Sequence, residues 1–351
     1  MLEVKVSSRG SGREPTISQF TGSTDDVWNG CRFHVNSPVQ EADVWLVVED
    51  IEDFDTSCVV PPDSVIFLSA ETSWPAGFYD ENAVRRAFLD QFAWIHTCHD
   101  IYRSNVTSDL PFLPWMVNAN HGPSISRPHE RDVDYLSRLE SVEKSRDLSV
   151  ICSTQSATPG HRMRLRLVEK LKEHFGDRLD WFGNGVNPIP DKWTGLAPYK
   201  YTIAIENQQA VNIATEKIWD PFLTLTFPIY GGAPNIHEWL PSDSLLAVDV
   251  KDLNGTIDSI QALLEEDPYE ERLPSLRQAR DAVTGPLNLY SRYAEVAQRH
   301  TGGGAKERVH LRPLGGAILD HGAGKGFTRT LGEQINKVGD LLVQRSVRRD
   351  G

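Results

Sequence analysis

The sequence predicts a two-domain α/β protein whose sheets are mostly parallel. Its 351 residues exceed the roughly 100–200 residues that one domain usually takes, so two domains are expected. Hydrophobic residues make up 39% and charged residues 24% of the chain, which is typical of a globular protein and not of a disordered one. Apolar runs of strand length, without alternation, are followed by amphipathic segments, and this order is typical of parallel sheets covered on both faces.

The first domain is predicted over residues 1–120. Val84, Phe88 and Phe92 recur at a spacing of four residues, which places them on one face of a helix. Apolar runs on either side of that segment are short enough to be buried strands. The predicted elements are strands over 44–48, 64–70 and 94–98 and a helix over 81–92.

A linker is predicted over residues 121–146. Pro123 and Pro128 interrupt the chain there, and a dense run of charged residues extends from them to Arg146. This composition is typical of an exposed connection between domains, and it predicts a linker followed by an exposed helix at the domain boundary.

The second domain is predicted over residues 147–300, where strands and helices alternate more regularly. This order predicts a doubly wound, mostly parallel sheet. The predicted strands cover 148–152, 179–182, 201–205, 227–230 and 245–248, and the predicted helices cover 162–175 and 215–225.

The last predicted segment, residues 301–351, begins with a break at Gly302–Gly304. Three arginines near its end, Arg345, Arg348 and Arg349, support only a weak hypothesis of contact with a membrane surface, and a solvated tail is the default. Before them, a predicted amphipathic helix carries Leu331, Ile335, Val338 and Leu342 on one face.

Charge and hydropathy argue against several classes of function. Lys and Arg number 36 against 49 Asp and Glu, and the resulting net charge of −13 disfavours a nucleic-acid-binding protein. No apolar run approaches the roughly 18–20 residues of a transmembrane span, and no signal peptide is recognisable. The four cysteines are scattered, which favours reduced thiols, no metal site and a cytoplasmic protein, with a place at the inner face of the membrane as the weaker alternative.

The strongest candidate for a binding site lies between a predicted strand and the helix after it. The strand ends at Glu206 and Asn207, and the helix opens at Thr215, Glu216 and Lys217. Ligands of open α/β sheets bind at the carboxyl ends of strands, and a helix N-terminus attracts phosphate. A lysine is unfavourable in a first helical turn unless an anion is bound there. Alternatively, Lys217 extends into solvent and pairs with a surface carboxylate, and the pattern leaves both interpretations open.

The same stretch resembles the donor-binding motif of the α1,3/4-fucosyltransferases of glycosyltransferase family 10. The resemblance covers residues 147–255 specifically and the rest of the chain only loosely. Its core consists of Tyr199–Tyr201, Glu206–Asn207, Thr215–Lys217, Pro228–Gly231 and Pro234. Further matches are Ser153, Pro159–Arg164, Leu171 and Phe182–Gly185 upstream, and Leu240–Pro241, Ser244 and Val248–Asp249 downstream.

The resemblance implies a GT-B arrangement, in which two Rossmann-like domains face each other across a cleft. The second domain would bind GDP-fucose and the first an acceptor glycan, and fucose would be transferred with inversion and without a metal ion or other cofactor. Lys217 and Arg164 match the family residues that contact the donor diphosphate. Glu216 matches the glutamate that holds the ribose, and Asn207 the asparagine that closes the donor strand. Ile213 departs from the pattern, since some relatives carry a tyrosine there.

Arg164 also has a simpler interpretation. Arg162, Arg164 and Arg166 alternate along a predicted helix, so they cannot all face one site and most of them are expected on the surface. Only the family spacing singles out Arg164.

A transferase of this kind needs a base for the acceptor hydroxyl. Glu71 follows an apolar strand, and in the resembling family such a strand ends in Gly-Glu, whose glutamate is the proposed base. Ala70 stands in place of that glycine here. Alternatively, Glu71 caps a loop or pairs with an arginine, and Glu49, Asp50 and Asp53 are competing carboxylates near another strand end.

Two other functions stay open on the sequence. The chain could be a different nucleotide-sugar transferase on the same fold, or a non-catalytic relative that binds a nucleotide or glycan. His96 and His99 have metal-ligating atoms, but no second pair accompanies them, so packing in a strand is favoured over zinc.

Overall fold

The structure, a computed structural model, describes residues 1–8, 17–23, 25–72, 82–117 and 131–314. Within these ranges the chain forms two mainly parallel sheets covered by helices, which confirms the predicted α/β class. The elements of the first half are β1 (Leu2–Ser8), α1 (Ile17–Thr21), β2 (Val27–Trp28), β3 (Cys31–Val35), β4 (Val44–Val48), β5 (Ser57–Val60), β6 (Val65–Leu68), α2 (Ala83–Leu89), β7 (Trp94–Thr97) and β8 (Val106–Ser108).

The first sheet has seven strands in the order β2-β3-β1-β4-β6-β7-β8. Neighbouring strands are parallel, except that β2 runs antiparallel to β3. Every residue of β4 is buried, as its run of apolar residues without alternation predicts. The sequence pattern missed β1, because Lys5 places a charge at its centre. In the structure Asp55 lies 2.5 Å from the Lys5 ammonium and compensates this charge within the core.

The two halves are joined by a short helix, α3 (Val133–Ser137). Val133 and Leu136 are buried, so the helix predicted for the linker is shorter and less exposed than expected. The second half continues with β9 (Arg146–Ile151), α4 (Pro159–Phe175), β10 (Leu179–Phe182), α5 (Lys192–Leu196), β11 (Tyr199–Ile205), α6 (Glu216–Leu223), β12 (Phe227–Gly231) and β13 (Leu246–Ala247).

The second sheet has five parallel strands in the order β10-β9-β11-β12-β13. From β9 the chain passes outward to β10 and then crosses back to β11, so the direction of winding reverses between β9 and β11. Open sheets of this kind bind ligands in the crevice at the carboxyl ends of two such strands.

After the second sheet the chain forms α7 (Leu253–Glu266) and α8 (Tyr269–Thr284), which contact helices of the second half. It then returns to the first half with α9 (Leu289–Arg299) and β14 (Glu307–His310). Helix α9 contacts β1, β2 and β4, and its Tyr290 ring packs edge-on against Phe33 with ring centroids 5.2 Å apart. Strand β14 pairs antiparallel with β5. The predicted second domain, residues 147–300, therefore includes a helix that packs on the first sheet.

The predicted C-terminal helix and the three arginines after it lie outside the described residues. Among the helices that the structure does describe, none combines the length and the apolar character needed to cross a membrane.

Candidate active site

Three positively charged side chains line the crevice between β9 and β11. Arg164 reaches it from α4, Lys192 from α5 and Lys217 from α6, and Cys152 and Ala204 form part of its wall. The winding reversal of the second sheet thus brings together cations from three helices, as an anionic ligand would require.

The N-terminus of α6 is fixed by a buried carboxylate at the end of β11. Thr215 caps the helix, and its hydroxyl accepts a hydrogen bond from the Lys217 backbone N–H at 3.4 Å. Glu206 in turn accepts hydrogen bonds from the Thr215 N–H and hydroxyl, each at 2.8 Å. Burial raises the pKa of Glu206, which is only 1% exposed. The strand end and the helix start therefore meet through Glu206, which the sequence did not single out as a site residue.

The Lys217 ammonium lies among carboxylates inside the crevice. Its Nζ is 3.1 Å from Glu216 Oε1 and 3.5 Å from Glu206 Oε2, and 21% of the side chain is exposed. Burial lowers the pKa of Lys217, but these two carboxylates outweigh burial and keep the pKa raised. Lys217 is therefore a fixed positive charge, and its partners include a buried carboxylate rather than surface groups alone.

Glu216 is held in its ionised form by two lysines. Burial raises the pKa of Glu216, but Lys217 and Lys192 outweigh burial and hold the pKa well below its usual range. Lys192 Nζ lies 3.6 Å from Glu216 Oε1 and 2.7 Å from Asp220 Oδ2. Asp220 also accepts a hydrogen bond from the Met116 backbone N–H at 2.7 Å. Helix α6 thus ties the crevice to the segment that leaves the first half.

Arg164 is the buried member of the three alternating arginines. Its side chain belongs to the core-facing side of α4, whereas Arg162 is half-buried and Arg166 is exposed. The buried Arg164 Nε has no hydrogen-bond partner among the described residues. A buried donor without a partner is unfavourable, so an oxygen-bearing ligand at this point would stabilise it.

Asn207 lies where α4 passes very close to the end of β11. Its Nδ2 donates to His161 Nε2 at 3.3 Å, and His161 Nδ1 is 3.0 Å from the Thr158 hydroxyl. A Cβ atom at Gly160 would come within 2.0 Å of the Asn207 carbonyl oxygen, so this close approach requires glycine. The Asn207 Oδ1 atom is buried and lacks a partner in the part of the chain that the structure describes.

Glu71 lies on the carboxyl edge of the first sheet. Its backbone N–H donates to Glu49 at 2.7 Å, and its carbonyl accepts from His99 Nε2 at 2.7 Å. Burial, together with Arg164, lowers the pKa of His161, and the negative charge of Glu71 acts in the opposite direction. Glu71 is therefore close enough to the first turn of α4, which carries His161, for its charge to act there.

His96 and His99 have separate partners. His96 is fully buried, with Nε2 2.9 Å from His300 Nε2 and Nδ1 3.2 Å from Asp109. His99 instead bonds to the Glu71 carbonyl. No local pattern indicates this contact between His99 and Glu71, because Glu71 lies 28 positions earlier in the chain.

A doubly wound sheet with fixed cations and a helix N-terminus at its reversal point defines a class of α/β proteins that bind nucleotides and other phosphates. Within that class, residues 143–270 match the family model described as glycosyltransferase family 10 (fucosyltransferase) C-term. This confirms the predicted resemblance over that segment, which contains Arg164, Asn207, Glu216 and Lys217.

Curated relatives match a short part of the chain. The GDP-fucose protein O-fucosyltransferase 3 of Danio rerio is 48% identical over 48 residues, which are 14% of this chain and 10% of the relative. The Alpha-(1,3)-fucosyltransferase B of Drosophila melanogaster is 38% identical over 76 residues, which are 22% of this chain and 16% of the relative. The chain therefore spans only a small fraction of the length of these relatives.

Solved structures resemble the chain over most of its length. An α1,3-fucosyltransferase solved with GDP has a TM-score of 0.50 and 14% identity, and the match covers 87% of this chain and 91% of that one. An α1,3-fucosyltransferase solved with GDP-fucose has a TM-score of 0.47 and 17% identity, covering 78% of this chain and 81% of that one. The first likeness confirms the GT-B fold, and at this identity it establishes the fold alone.

Proposed function

We propose that the protein is a glycosyltransferase that moves fucose from GDP-fucose to a hydroxyl group of an acceptor glycan. Transfer would proceed with inversion at the anomeric carbon and without a metal ion. One observation carries the proposal: residues that match the family motif lie in or next to the crevice of the second sheet. Arg164 and Lys217 line the crevice, and Glu216 pairs with Lys217. Asn207 hydrogen-bonds to His161, on the same helix as Arg164.

The cations of the crevice suit a departing diphosphate. As the bond between the sugar and GDP breaks, negative charge builds up on the leaving group, and preorganised positive groups lower the energy of that state. Lys217 is kept charged by its neighbours, and the buried Arg164 Nε offers a hydrogen-bond donor. Arginine can also bind two phosphate oxygens at once. The N-terminus of α6 adds its dipole to these charges.

The nucleoside end of the donor is assigned to Glu216 and Asn207. An ionised carboxylate accepts hydrogen bonds from ribose hydroxyls, and Glu216 is held in that form by its lysine neighbours. The buried Asn207 Oδ1 is available as a second acceptor, since no described residue donates to it.

Glu71 is proposed as the base. The acceptor oxygen would form a bond to C1 of fucose while the bond from C1 to the GDP oxygen breaks. The proton of the acceptor hydroxyl would move to the Glu71 carboxylate, and the electron pair of the broken bond would leave with GDP. The position of Glu71 supports this role, because its charge acts on His161 beside the donor crevice.

A donor and acceptor screen tests the proposal. GDP-fucose, GDP-mannose and UDP-sugars would each be incubated with glycan and peptide acceptors, and nucleotide release and product mass would be followed. Both acceptor types are included because the relatives' names refer to a protein O-fucosyltransferase and to an α1,3-fucosyltransferase.

The expected result is fucosylated product from GDP-fucose alone. Turnover of a different donor would favour another nucleotide-sugar transferase. The buried Ile213 supports that alternative, because some relatives have a tyrosine at its position. Binding of GDP without turnover of any donor would favour a non-catalytic binding protein.

Two further parts of the proposal need their own measurements. Turnover that survives EDTA would support the metal-independent mechanism, and loss in EDTA that a divalent ion restores would contradict it. The cytoplasmic location, with peripheral membrane contact as a weak addition, is tested by cell fractionation with and without high salt.

A further inference from the structure

The Glu49 carboxylate holds the segment that carries Glu71. A single oxygen, Oε1, accepts hydrogen bonds from the Ala70 N–H at 2.6 Å, the Glu71 N–H at 2.7 Å and the Ser69 hydroxyl at 3.1 Å. Glu49 follows β4, and Ser69 follows β6, the adjacent strand of the sheet. Hydrogen bonds to an ionised acceptor are stronger than neutral ones, so this contact fixes the first residues beyond β6.

The backbone at Glu49 itself adopts an uncommon conformation. Its φ angle is 64°, in the left-handed region that residues other than glycine rarely occupy. Its N–H donates to the Leu68 carbonyl at 3.0 Å, so the turn is anchored to the last residue of β6. Residues in this region concentrate at functional sites, where the surrounding structure maintains them.

His99 holds the same segment from the other side. It follows β7, the next strand along the sheet, and its Nε2 donates to the Glu71 carbonyl at 2.7 Å. The His99 N–H donates in turn to the Thr97 hydroxyl at 3.0 Å. Both backbone polar groups of Glu71 are therefore bound by side chains from the two flanking strands.

The negative charge of Glu49 also acts on its surroundings. Burial raises the pKa of Cys98 to about 12, and the Glu49 carboxylate adds to that increase. Because Oε1 of Glu49 already accepts from three donors, this carboxylate is engaged in holding the chain. Among the competing carboxylates that the sequence offered, Glu49 is thus better suited to orienting a base than to being one.

We infer that Glu49 and His99 are positioning residues that hold Glu71 in place for proton abstraction. The inference rests on the proposed function, in which Glu71 is the base. A base must lie within hydrogen-bond reach of the proton it takes, and a displacement of about 1 Å can lower turnover by roughly 10²-fold.

The test compares Glu49→Ala, Glu49→Gln and His99→Ala with the unchanged protein. We expect Glu49→Ala to lower kcat by roughly 10²-fold while the affinity for GDP stays within about twofold. Glu49→Gln keeps an acceptor oxygen, so its loss should be smaller, and His99→Ala should fall between the two. Asp43→Ala is the matched control, because that carboxylate accepts the Glu3 N–H at 2.8 Å beside the opposite end of β4.

A second background separates positioning from general damage to the fold. In a protein that already carries Glu71→Gln, adding Glu49→Ala should cause no further loss of turnover. The Glu71 carboxylate that Glu49 positions is already absent there. Amide exchange at Ala70 and Glu71 should speed up in Glu49→Ala and stay unchanged at Ile205 and Glu206. If Glu49→Ala does not fold, Glu49→Gln and His99→Ala supply both measurements.

The outcomes distinguish this inference from the proposed function. Unchanged kcat in Glu49→Ala, or an equal loss with and without Glu71→Gln, overturns the inference while the base assignment stands. Near-normal turnover in Glu71→Gln alone removes the proposed base, and a loss in Glu49→Ala would then have another origin.

Discussion

The crevice of the second half and the Glu71 segment of the first half lie at equivalent edges of two mainly parallel sheets, yet they are built differently. The crevice is fixed by charges, with lysines and carboxylates 3–4 Å apart around the N-terminus of α6. The Glu71 segment is fixed by hydrogen bonds to its backbone from Glu49 and His99.

The difference follows from what each side would have to do. A diphosphate is the same in every turnover, so permanent charges can be placed to meet it. A base must instead change its protonation state, and Glu49 and His99 hold Glu71 through its backbone N–H and carbonyl rather than through its carboxylate. Substitutions on the two sides should therefore affect different measured quantities.

The largest expected effect is that of Glu71→Gln on turnover. The amide cannot take a proton, so kcat should fall by roughly 10²–10⁴-fold, the usual contribution of a general base. Because the donor crevice lies in the other half, the dissociation constant of GDP measured by calorimetry should barely change. Turnover close to that of the unchanged protein would move the base to another carboxylate.

Lys217→Ala should affect binding and turnover together. It removes a charge expected to contact the diphosphate in both the bound and the departing state, so kcat/KM should drop by roughly 10²–10³-fold and GDP should bind more weakly. Lys170→Ala is the matched control, since that lysine sits on the exposed face of α4 and pairs only with Glu173 among the residues described. Unchanged kinetics in Lys217→Ala would disprove its assigned role.

Glu206→Gln should act mainly on stability. The change keeps the shape of the side chain but removes a buried charge that holds the Thr215 cap and faces Lys217, and it should cost about 1–3 kcal/mol. Urea unfolding measures this cost. Glu173→Gln, on the surface of α4, should lie near zero. An equally small effect at Glu206 would show that Glu216 alone balances Lys217.

The last expected effect is a pH dependence of stability, which arises from Lys144 at the C-terminal end of α6. Its Nζ donates to the carbonyls of Ala197 and Thr224, and burial lowers the pKa of Lys144 to about 7. Between pH 7 and about 10.4 the unfolded chain binds more protons at this position than the folded one, so this group favours folding increasingly as the pH rises. The unfolding free energy of the unchanged protein, relative to that of Lys144→Met, should therefore increase as the pH rises through that range. A difference independent of pH would contradict the lowered pKa.

The sequence predicted the parts of the structure that are determined by residues close to one another along the chain. The strands of the second sheet and the helices α4 and α6 follow from local apolar patterns, whereas α5, α7 and α8 were not predicted. The residues of the crevice lie within one stretch that matches a family motif. Arg164 illustrates the limit, because the pattern alone could not separate it from Arg162 and Arg166. Burial on α4 makes that distinction in the structure.

Contacts between distant residues were beyond the reach of the sequence. Strand β1 was missed because the partner of Lys5 is 50 positions away, and the bonds of Glu49 and His99 to Glu71 span 22 and 28 positions. The packing of α9 on the first sheet has the same origin, since an amphipathic helix does not reveal which of two sheets it covers.

Helix α9 returns to the first sheet and β14 pairs with β5, so the second half is an insertion within the first. The chain enters the second half once, before β9, and leaves it once, after α8. A unit of this kind could be exchanged between related proteins through two junctions, with β1 and β14 both left on the first half. Dividing the chain at the linker would instead separate α9 from the first sheet, against which it packs.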